Sequence, residues 1–505
     1  MNTETTRFLL STLEFMAGLF VLAIGLIFIG LLILYIIDKT QTAHAVRRNY
    51  PIVGRFRYLF EHMGEFFRQY FFAMDREEMP FNRAERSWVY RAAKDIDSTI
   101  AFGSTRNLTP VGSVLFANCP FPTLSEDAAP VSEVTIGPYC RQPYTTDSLF
   151  NISGMSYGAL SAPAVRALSC GAKKAGCWMN TGEGGVSPHH LESGCDLVCQ
   201  IGTAKYGVRD SEGNLSEEKL KALADYPQVR MFEIKMSQGA KPGKGGILPG
   251  EKVTEEIAAI RDITAGQDSI SPNGHPDIRS LDELLDQIER IRSISGKPVG
   301  FKAVIGATSW LGQLCHLIRQ RGIESAPDFI TIDSADGGSG AAPQSLMDYV
   351  GLPIKESLPL LTDTLNEHGL RKRIKVICSG KLITPSGVAW ALCMGADFVA
   401  SARGFMFSLG CIQALQCNKN TCPTGITTHN KKLQYGLDPN NKAERVANYA
   451  KNMVYEVGIL AHSCGVIEPR KLKRHHAYIV GDDGLSRSMA ELHPYREVQQ
   501  ITISL

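Results

Sequence analysis

The stretch FITIDSADGGSGAAP, residues 329–343, decides the fold of this chain. Its first four residues are mostly apolar and include two isoleucines and a threonine, which predicts a short buried strand. Its second half is rich in glycine and small residues, which is typical of a loop after a strand. The fold therefore depends on how often this arrangement recurs along the chain.

Short apolar runs that end in glycine, serine or a charged residue recur from Leu149 onward. Eight such runs predict strands, the fourth of them weakly, at residues 150–155, 177–182, 231–236, 269–272, 299–304, 329–334, 374–380 and 398–403. Helical patterns separate several of them, at residues 162–175, 280–293 and 385–395. Strands that alternate with helices indicate parallel βα units, and eight units predict an α/β protein with a (β/α)8 TIM barrel. An open doubly wound sheet is the structural alternative.

Glycine-rich loops follow the sixth, seventh and eighth predicted strands, at residues 333–343, 379–381 and 402–404. Backbone N–H groups in such loops can approach an anion closely. In this fold, chemistry takes place at the carboxyl ends of the strands, and phosphate usually binds after strands seven and eight. Any one of these loops is also explained as a simple turn, but together they predict a phosphate site.

The loop after the third predicted strand carries several cationic and polar side chains. They are Lys235, Gln238, Lys241 and Lys244, and Lys302 belongs to the fifth predicted strand. Buried lysines are costly without an anionic partner, so this cluster predicts a carboxylate substrate or an electron-rich cofactor. A solvated surface position is the alternative for any single lysine.

Three cysteines lie close together in GCIQALQCNKNTCPTG, residues 410–425. The spacing C-x5-C-x4-C of Cys411, Cys417 and Cys422 does not match the paired ligands of a zinc finger. Thiolates are soft ligands, and a proline after the last cysteine is typical of iron–sulfur loops. Burial as small hydrophobic residues is the alternative for free cysteines.

The N-terminal part contains 22 uncharged, mostly apolar residues at 16–37, enough for one transmembrane helix. A signal peptide would have a shorter apolar core and a cleavage site. Only Arg7 precedes the span, whereas five lysines and arginines follow it by residue 57, which predicts a single-pass anchor with a cytoplasmic catalytic domain. The 13 scattered cysteines fit a reducing compartment, and the net charge of +2 gives no reason to expect nucleic acid.

Aromatic and basic residues alternate at 55–74, which fits either a helix on the membrane surface or a helix packed on the catalytic domain. Up to about residue 143 the chain reads as a helical and irregular wrapping segment. We therefore expect four parts: an anchor at 1–38, a juxtamembrane and wrapping segment at 39–148, the barrel at 149–465 and a tail at 466–505.

A series of motifs between residues 153 and 457 resembles the FMN-binding synthase domain of glutamate synthase. The motifs occur in that family's order, and the cysteine stretch follows them. They are SGMSYGALS (153–161), NTGEGG (180–185), IKMSQGAKPGKGG (234–246), LPGEKV (248–253), SPNGHPDI (271–278) and DGGSGAAP (336–343). The last of them is part of the stretch 329–343 described above. Together they cover about three fifths of the chain, which is more specific than any single motif.

The resemblance implies an FMN barrel with a 3Fe–4S cluster whose ligands are Cys411, Cys417 and Cys422. It implies that Lys241 and Arg261 hold the carboxylates of 2-oxoglutarate, and it places Glu183 in a matched loop of the catalytic site. The expected cofactor-binding residues are Met155, Ser156, Lys235, Gln238, Lys302, Gly337, Gly338, Ser339, Gly340, Gly380 and Gly404.

The implied reaction is reduction of a 2-imino acid by hydride from FMN, with electrons supplied through the cluster. The expected partners are 2-oxoglutarate or a similar 2-oxo acid, the membrane, an unknown electron donor and an amine-donating subunit. The sequence departs from full glutamate synthases because no glutaminase domain is recognised, and because Lys244 stands where an acidic residue is expected. The amine donor and glutamate as product therefore stay open.

Two other functions are compatible with the sequence. One is a membrane-associated flavin and iron–sulfur component that only transfers electrons. The other is a different FMN-barrel oxidoreductase, such as a 2-hydroxyacid oxidase, whose catalytic histidine would follow a strand end. The pair His189 and His190 follows the second predicted strand and reads more simply as a loop feature.

Overall fold

The computed structural model describes residues 3–496 of the chain. By compactness the chain forms two units, with the boundary between Ala84 and Glu85. The four-part division expected from the sequence stays a prediction.

The first unit is helical. It contains α1 (Thr3–Thr40), α2 (Ala45–Asn49), α3 (Val53–Phe67) and a π-helical turn (Arg68–Phe72). Residues Arg7–Thr40 of α1 are long and apolar enough to cross a membrane, by length and composition. A signal sequence near an N-terminus would meet the same criterion, so the helix by itself establishes only this capacity.

The second unit contains all the strands of the described chain and most of its helices. The strands are β1 (Val114–Phe116), β2 (Val134–Ile136), β3 (Tyr144–Thr146), β4 (Phe150–Ile152), β5 (Met179–Asn180), β6 (Leu197–Ile201), β7 (Val229–Lys235), β8 (Ile247–Leu248), β9 (Ser269–Ile270), β10 (Val299–Ala303), β11 (Phe329–Asp333), β12 (Lys375–Ser379), β13 (Phe398–Ser401), β14 (Ala477–Val480) and β15 (Ser486–Ser488). The helices that follow α3 are α4 (Arg83–Ala93), α5 (Ala162–Ala175), α6 (Pro188–Leu191), α7 (Glu217–Ala224), α8 (Glu255–Arg261), α9 (Leu281–Ser295), α10 (Ser309–Arg321), α11 (Gln344–Tyr349), α12 (Ile354–Glu367), α13 (Pro385–Cys393), α14 (Arg403–Ser408), α15 (Lys431–Gln434), α16 (Pro439–Ser463) and α17 (Met489–Leu492).

Eight parallel strands close into a barrel in the order β4, β5, β6, β7, β10, β11, β12, β13. The barrel closes where β13 pairs with β4, with Val399 opposite Phe150. This confirms the predicted (β/α)8 barrel and excludes the open sheet. Most barrel strands are buried along their whole length, so they read as short apolar runs without alternation.

Seven of the eight predicted strands are barrel strands, and one prediction is wrong. Residues 269–272 do not form the fourth barrel strand, because Ser269–Ile270 pairs antiparallel with Ile247–Leu248 outside the barrel. The missed strand is β6, Leu197–Ile201. The run at 231–236 is therefore the fourth strand rather than the third.

The helix α16 packs along α5, on the outside of the barrel. The two helices approach so closely that a Cβ at Gly171 would lie 2.4 Å from the Cβ of Val446. The chain after residue 466 is also part of the second unit, because β14 pairs with β1 and β15. These contacts stabilise the outer layer and leave the carboxyl ends of the barrel strands for the site.

Candidate active site

An open cavity lies at the carboxyl ends of the barrel strands. An adjoining, smaller cavity shares part of its lining, including Gly154, Gln200 and Gly338. Most of the predicted site residues line the two cavities: Met155, Ser156, Glu183, Lys235, Gln238, Lys241, Arg261, Gly338, Ser339, Gly340 and Cys417 in the first, and Lys302 and Gly380 in the second. The structure thus brings together residues that are up to 262 positions apart in the chain.

The loop after β4 provides one wall of the larger cavity. Met155 is buried and Ser156 half-buried there. A Cβ at Gly182 would lie 2.5 Å from the backbone nitrogen of Ser156, so the loop after β5 packs directly on the loop after β4. This wall is therefore backbone that a planar ligand can approach closely.

Two lysines at the strand ends are each paired with a carboxylate. Lys235 Nζ lies 2.7 Å from Glu183 Oε1, and Lys302 Nζ lies 3.0 Å from Asp333 Oδ2. Burial opposes a charged Lys302, but Asp333 and the other nearby carboxylates more than offset it and raise its pKa. Lys302 therefore stands as a buried cation, and its charge can act strongly on a neighbouring ligand.

Lys241 and Arg261 are two further basic residues of the cavity, and both are buried. Arg261 donates to the carbonyl of Tyr157 at 3.1 Å and to Ser269 Oγ at 3.3 Å, while its buried Nε has no partner within the described chain. Burial lowers the pKa of both side chains. A buried guanidinium with an unused donor fits an anionic group in the cavity.

Glu183 is the carboxylate that faces these cations. Burial tends to raise its pKa, but Lys235, Lys241 and Arg261 more than offset this and hold the pKa below its usual value. Glu183 is thus an anion among three cations. The cluster keeps a net positive charge, which suits a dianionic ligand.

The glycine loop after β11 lines the cavity at Gly338, Ser339 and Gly340, but Gly337 and Gly404 lie outside both linings in the described structure. A Cβ at Gly404 would lie 2.1 Å from the hydroxyl oxygen of Tyr449. The space at this glycine is therefore taken up by helix packing. Lys244 likewise lies outside both linings.

Three residues of the site were missed by the sequence reasoning. Gln200 belongs to the missed strand β6 and donates to Glu233 Oε1 at 2.6 Å. Lys252 is buried and donates to the carbonyl oxygens of Ala159 at 3.0 Å and Cys417 at 3.3 Å. Its motif LPGEKV was recognised, but nothing in the motif marks the lysine as buried. The third missed residue is Arg403, which lines both cavities.

Arg403 connects two loops at the edge of the cavity. Its Nη2 donates to the carbonyl of Ser339, and its Nη1 lies 3.7 Å from Cys417 Sγ. Arg403 belongs to the predicted loop 402–404, in which the sequence analysis named only Gly404 as a cofactor-binding residue. Cys417 also accepts a hydrogen bond from Lys252 through its carbonyl. Burial lowers the pKa of Lys252 to about 8, and the thiols of Cys417 and Cys422 oppose that shift.

The three predicted cluster cysteines lie on one loop after α14. Burial raises the pKa of Cys411 to about 11, and Cys417 and Cys422 are close enough to contribute. Hydrogen bonds from Thr424 and Thr427 oppose burial at Cys422 and lower the pKa of that thiol. Among residues 3–496, no three His, Cys, Asp or Glu side chains are arranged to hold a single metal ion.

An iron–sulfur cluster requires a different arrangement of ligands from a single metal ion. Each iron takes its own thiolate, so the ligands lie farther apart. The donor set fits such a cluster in its chemistry, since three thiols share one loop that cations flank. Cys417 alone among them lines the cavity.

Neither His189 nor His190 takes part in the cavity. His189 pairs with Glu256 at 3.0 Å, and His190 is buried against Ser187 at the start of α6. Within the described chain, no histidine lines either cavity. A 2-hydroxyacid oxidase would need a catalytic histidine at a strand end in the site, and neither His189 nor His190 provides it.

The chain is similar to known proteins in both sequence and structure. The family described as "Conserved region in glutamate synthase" matches residues 124–467. The glutamate synthase large subunit-like protein YerD of Bacillus subtilis (strain 168) is 39% identical over 503 residues, covering 91% of this chain and 95% of that protein. The archaeal glutamate synthase (NADPH) of Methanocaldococcus jannaschii is 36% identical over 322 residues, which are 63% of this chain and 59% of that enzyme.

Solved structures resemble the barrel more distantly. The flavin-binding domain of baker's yeast flavocytochrome b2 has a TM-score of 0.45 at 14% identity over 78% of each chain. A mandelate oxidase variant with an FMN adduct has a TM-score of 0.44 at 13% identity, over 78% of this chain and 92% of that one.

The matched region includes the whole barrel and every residue that lines the two cavities. Nearly the full length of the chain is also shared with the B. subtilis protein. This chain belongs to the glutamate synthase family and is an oxidoreductase of that type.

Proposed function

We propose that this chain is a membrane-anchored FMN and iron–sulfur oxidoreductase that reduces a 2-imino acid formed from 2-oxoglutarate, or a similar 2-oxo acid, and ammonia or an amine. The observation that carries the proposal is the buried cluster of Lys241, Arg261 and Lys235 around Glu183, beside a glycine loop in one cavity. Such a cluster supports a dianionic substrate next to a phosphate-bearing cofactor.

FMN is the cofactor that the cavity fits best. The backbone of Met155 and Ser156 would offer a surface for its flat ring, and Lys235, Gln238 and Lys302 line the same two cavities. Gly338, Ser339, Gly340 and Gly380 would supply backbone to its phosphate, and Arg403 lines both cavities. FMN, when bound, supplies hydride to the substrate carbon.

The chain's own residues bind and orient the substrate. Arg261 presents its unpartnered Nε, and Lys241 presents a buried ammonium, so each can take one carboxylate of a 2-oxo dicarboxylic acid. Glu183 accepts from Lys235 at 2.7 Å and so keeps that lysine in place. Lys241 and Arg261 are both buried, and burial strengthens the contacts that their charges can make.

Cys411, Cys417 and Cys422 are proposed to hold a 3Fe–4S cluster. The support is three thiols on one loop, with Cys417 at the cavity and Arg403 and Lys252 beside it. Such a cluster would supply single electrons to the flavin site. Iron and acid-labile sulfide analysis of anaerobically purified protein tests this part separately, because zinc or no metal at these cysteines would contradict it.

The helix α1 is proposed to be a retained single-pass anchor with the barrel in the cytoplasm. The support is its length and apolar composition, together with the basic residues that follow it. The electron donor and an amine-donating subunit would then be partners at or near the membrane. Alkaline extraction of membranes tests the anchor, since a cleaved signal sequence would leave the chain in the soluble fraction.

Titration of the detergent-purified protein with 2-oxoglutarate tests the reaction most directly. We expect a flavin absorbance spectrum, an EPR signal from the oxidised cluster and a saturable flavin shift as 2-oxoglutarate is added. An amine added to the reduced, 2-oxoglutarate-bound protein should reoxidise the flavin. A flavin that responds to no 2-oxo acid would contradict the proposed substrate class.

An electron-transfer component is the second candidate, and the helix α1 is the observation that favours it. This function does not need the carboxylate-binding cations. If the chain reduces a 2-imino acid, the variants Lys241→Ala and Arg261→Ala should raise the KM for the 2-oxo acid from which it forms. If the chain only transfers electrons, both variants should leave electron transfer intact.

A further inference from the structure

The helix α3 presents a row of large apolar side chains to solvent. Val53, Phe56, Phe60 and Phe67 recur at helical spacing and so share one side of the helix. Phe56 is 53% exposed and Phe60 is 64% exposed, and the row continues into the π-helical turn at Phe71. Single exposed hydrophobic residues are ordinary, but a continuous aromatic row marks an interaction surface.

The opposite side of α3 is already covered by α2. The Tyr58 ring lies 5.0 Å from the His44 ring, and the Arg47 guanidinium lies 4.6 Å above it. A Cβ at Gly54 would lie 2.8 Å from the carbonyl oxygen of Val46, so the two helices are in close contact. The aromatic row therefore has a fixed direction, away from α2.

A buried carboxylate ties the start of α3 to the end of α1. Asp38 is 1% exposed and receives two hydrogen bonds from Arg55, from Nε at 2.8 Å and from Nη2 at 2.7 Å. It also accepts from the backbone nitrogen of Ile52 at 3.0 Å. Ile52 has φ 66°, a conformation that β-branched residues rarely adopt, and the Asp38 contact holds it there.

This connection sets the depth of α3 relative to the end of α1. If α1 crosses a bilayer, its last turn at Asp38–Thr40 lies near the headgroups, because about 20 residues suffice for the hydrocarbon core. The first turn of α3 is bonded to that turn and lies at the same depth. Six lysines and arginines but only two acidic residues occur between 39 and 74, which favours an anionic surface.

We propose that α3 and the π-helical turn lie in the interface of an anionic phospholipid membrane, with the Phe56–Phe60–Phe67 row in the acyl boundary. The proposal rests on the proposed anchoring by α1. Aromatic side chains are favoured at this depth, and exposed arginines such as Arg48 and Arg68 can reach phosphate groups from it. The occupant of the apolar face is thus lipid rather than protein.

Photo-crosslinking in the full-length protein tests this placement. The photoreactive residue p-benzoylphenylalanine replaces Phe60 on the apolar row, or His62 on the other side of the helix as a matched control. The protein is reconstituted into nanodiscs of phosphatidylcholine with or without phosphatidylglycerol, and adducts are identified by mass spectrometry. We expect phospholipid adducts at position 60 in large excess over position 62.

Adducts from position 60 to another part of the chain, or no lipid adduct at either position, would overturn the proposal. Alkaline extraction of the membranes from which the protein is purified separates this failure from a failure of the anchor itself, since an extracted chain would refute anchoring. The paired variant Arg48→Glu and Arg68→Glu should lower the enrichment of phosphatidylglycerol among the adducts several-fold. Unchanged enrichment would overturn the preference for anionic lipid.

Discussion

Arg403 Nη1 lies 3.7 Å from the sulfur of Cys417, and the same guanidinium donates through Nη2 to the carbonyl of Ser339. One side chain therefore connects the glycine loop of the proposed phosphate site to the loop of the proposed cluster. A hydrogen bond from a charged donor contributes about 1.5–3 kcal/mol. We expect Arg403→Met to raise the dissociation constant for FMN on the order of tenfold, measured by flavin fluorescence during titration of the apoprotein.

The variant Arg403→Lys is the matched control for this prediction. It keeps the charge but loses the planar fork that reaches Ser339 and Cys417 together. We expect an FMN affinity between those of the wild type and Arg403→Met. Equal affinity in all three proteins would show that Arg403 does not support the phosphate loop.

Substrate binding should depend on Lys241 and Arg261 separately from flavin binding. Each is buried in the cavity and can contribute one charge-assisted hydrogen bond to a carboxylate. We expect Lys241→Ala or Arg261→Lys to raise the KM for the 2-oxo acid on the order of 10–100-fold, with little change in the flavin spectrum. Steady-state kinetics on a flavin-replete sample measures this.

Lys244 provides the control for the substrate prediction, since it carries the same charge on the same loop but lies outside both cavities. Lys244→Ala should leave KM close to that of the wild type. A rise as large as that of Lys241→Ala would mean that general loop charge, and not a specific contact, determines substrate affinity.

The barrel could be predicted from the sequence because its strands are buried on both sides and so appear as short apolar runs. The strand β6 escaped this criterion because Gln200 interrupts its apolar pattern. The structure explains the glutamine: its amide faces the barrel interior and donates to Glu233 Oε1 at 2.6 Å. Ser269–Ile270 was mistaken for a barrel strand because two residues carry no information about their pairing partner.

Site residues could be predicted where a sequence motif determines the backbone conformation of a loop. They were harder to predict where a side chain contacts residues that are distant in the sequence. The glycine loop at 338–340 lines the cavity as expected, whereas Gly404 is needed for packing on Tyr449. Lys252 and Arg403 escaped notice because their roles depend on contacts with Cys417, 165 and 14 residues away. Sequence spacing cannot supply such contacts.

Gly404→Ala should destabilise the protein through packing. The new Cβ would lie 2.1 Å from the Tyr449 hydroxyl oxygen, which itself donates to the carbonyl of Ile383 at 3.0 Å. Overpacking of this kind costs about 1–3 kcal/mol, so we expect a lower midpoint of thermal unfolding. The double variant Gly404→Ala with Tyr449→Phe removes the clashing oxygen. It should recover part of the loss relative to Tyr449→Phe alone, and no recovery would place the strain elsewhere.

Acid should destabilise the second unit through His190. Burial lowers the pKa of this imidazole to about 3 from an ordinary 6.5, and His189 contributes to the shift. Between these values the unfolded chain binds a proton that the folded chain does not, so the free energy of unfolding falls as the pH decreases below 6.5. The loss is on the order of 2 kcal/mol by about pH 5.

Ser187 N donates to His190 Nδ1 at 3.1 Å, and glutamine can accept the same bond. We therefore expect His190→Gln to show a shallower loss of stability between neutral pH and pH 5 in urea unfolding. The same slope in both proteins would assign the acid sensitivity to other groups.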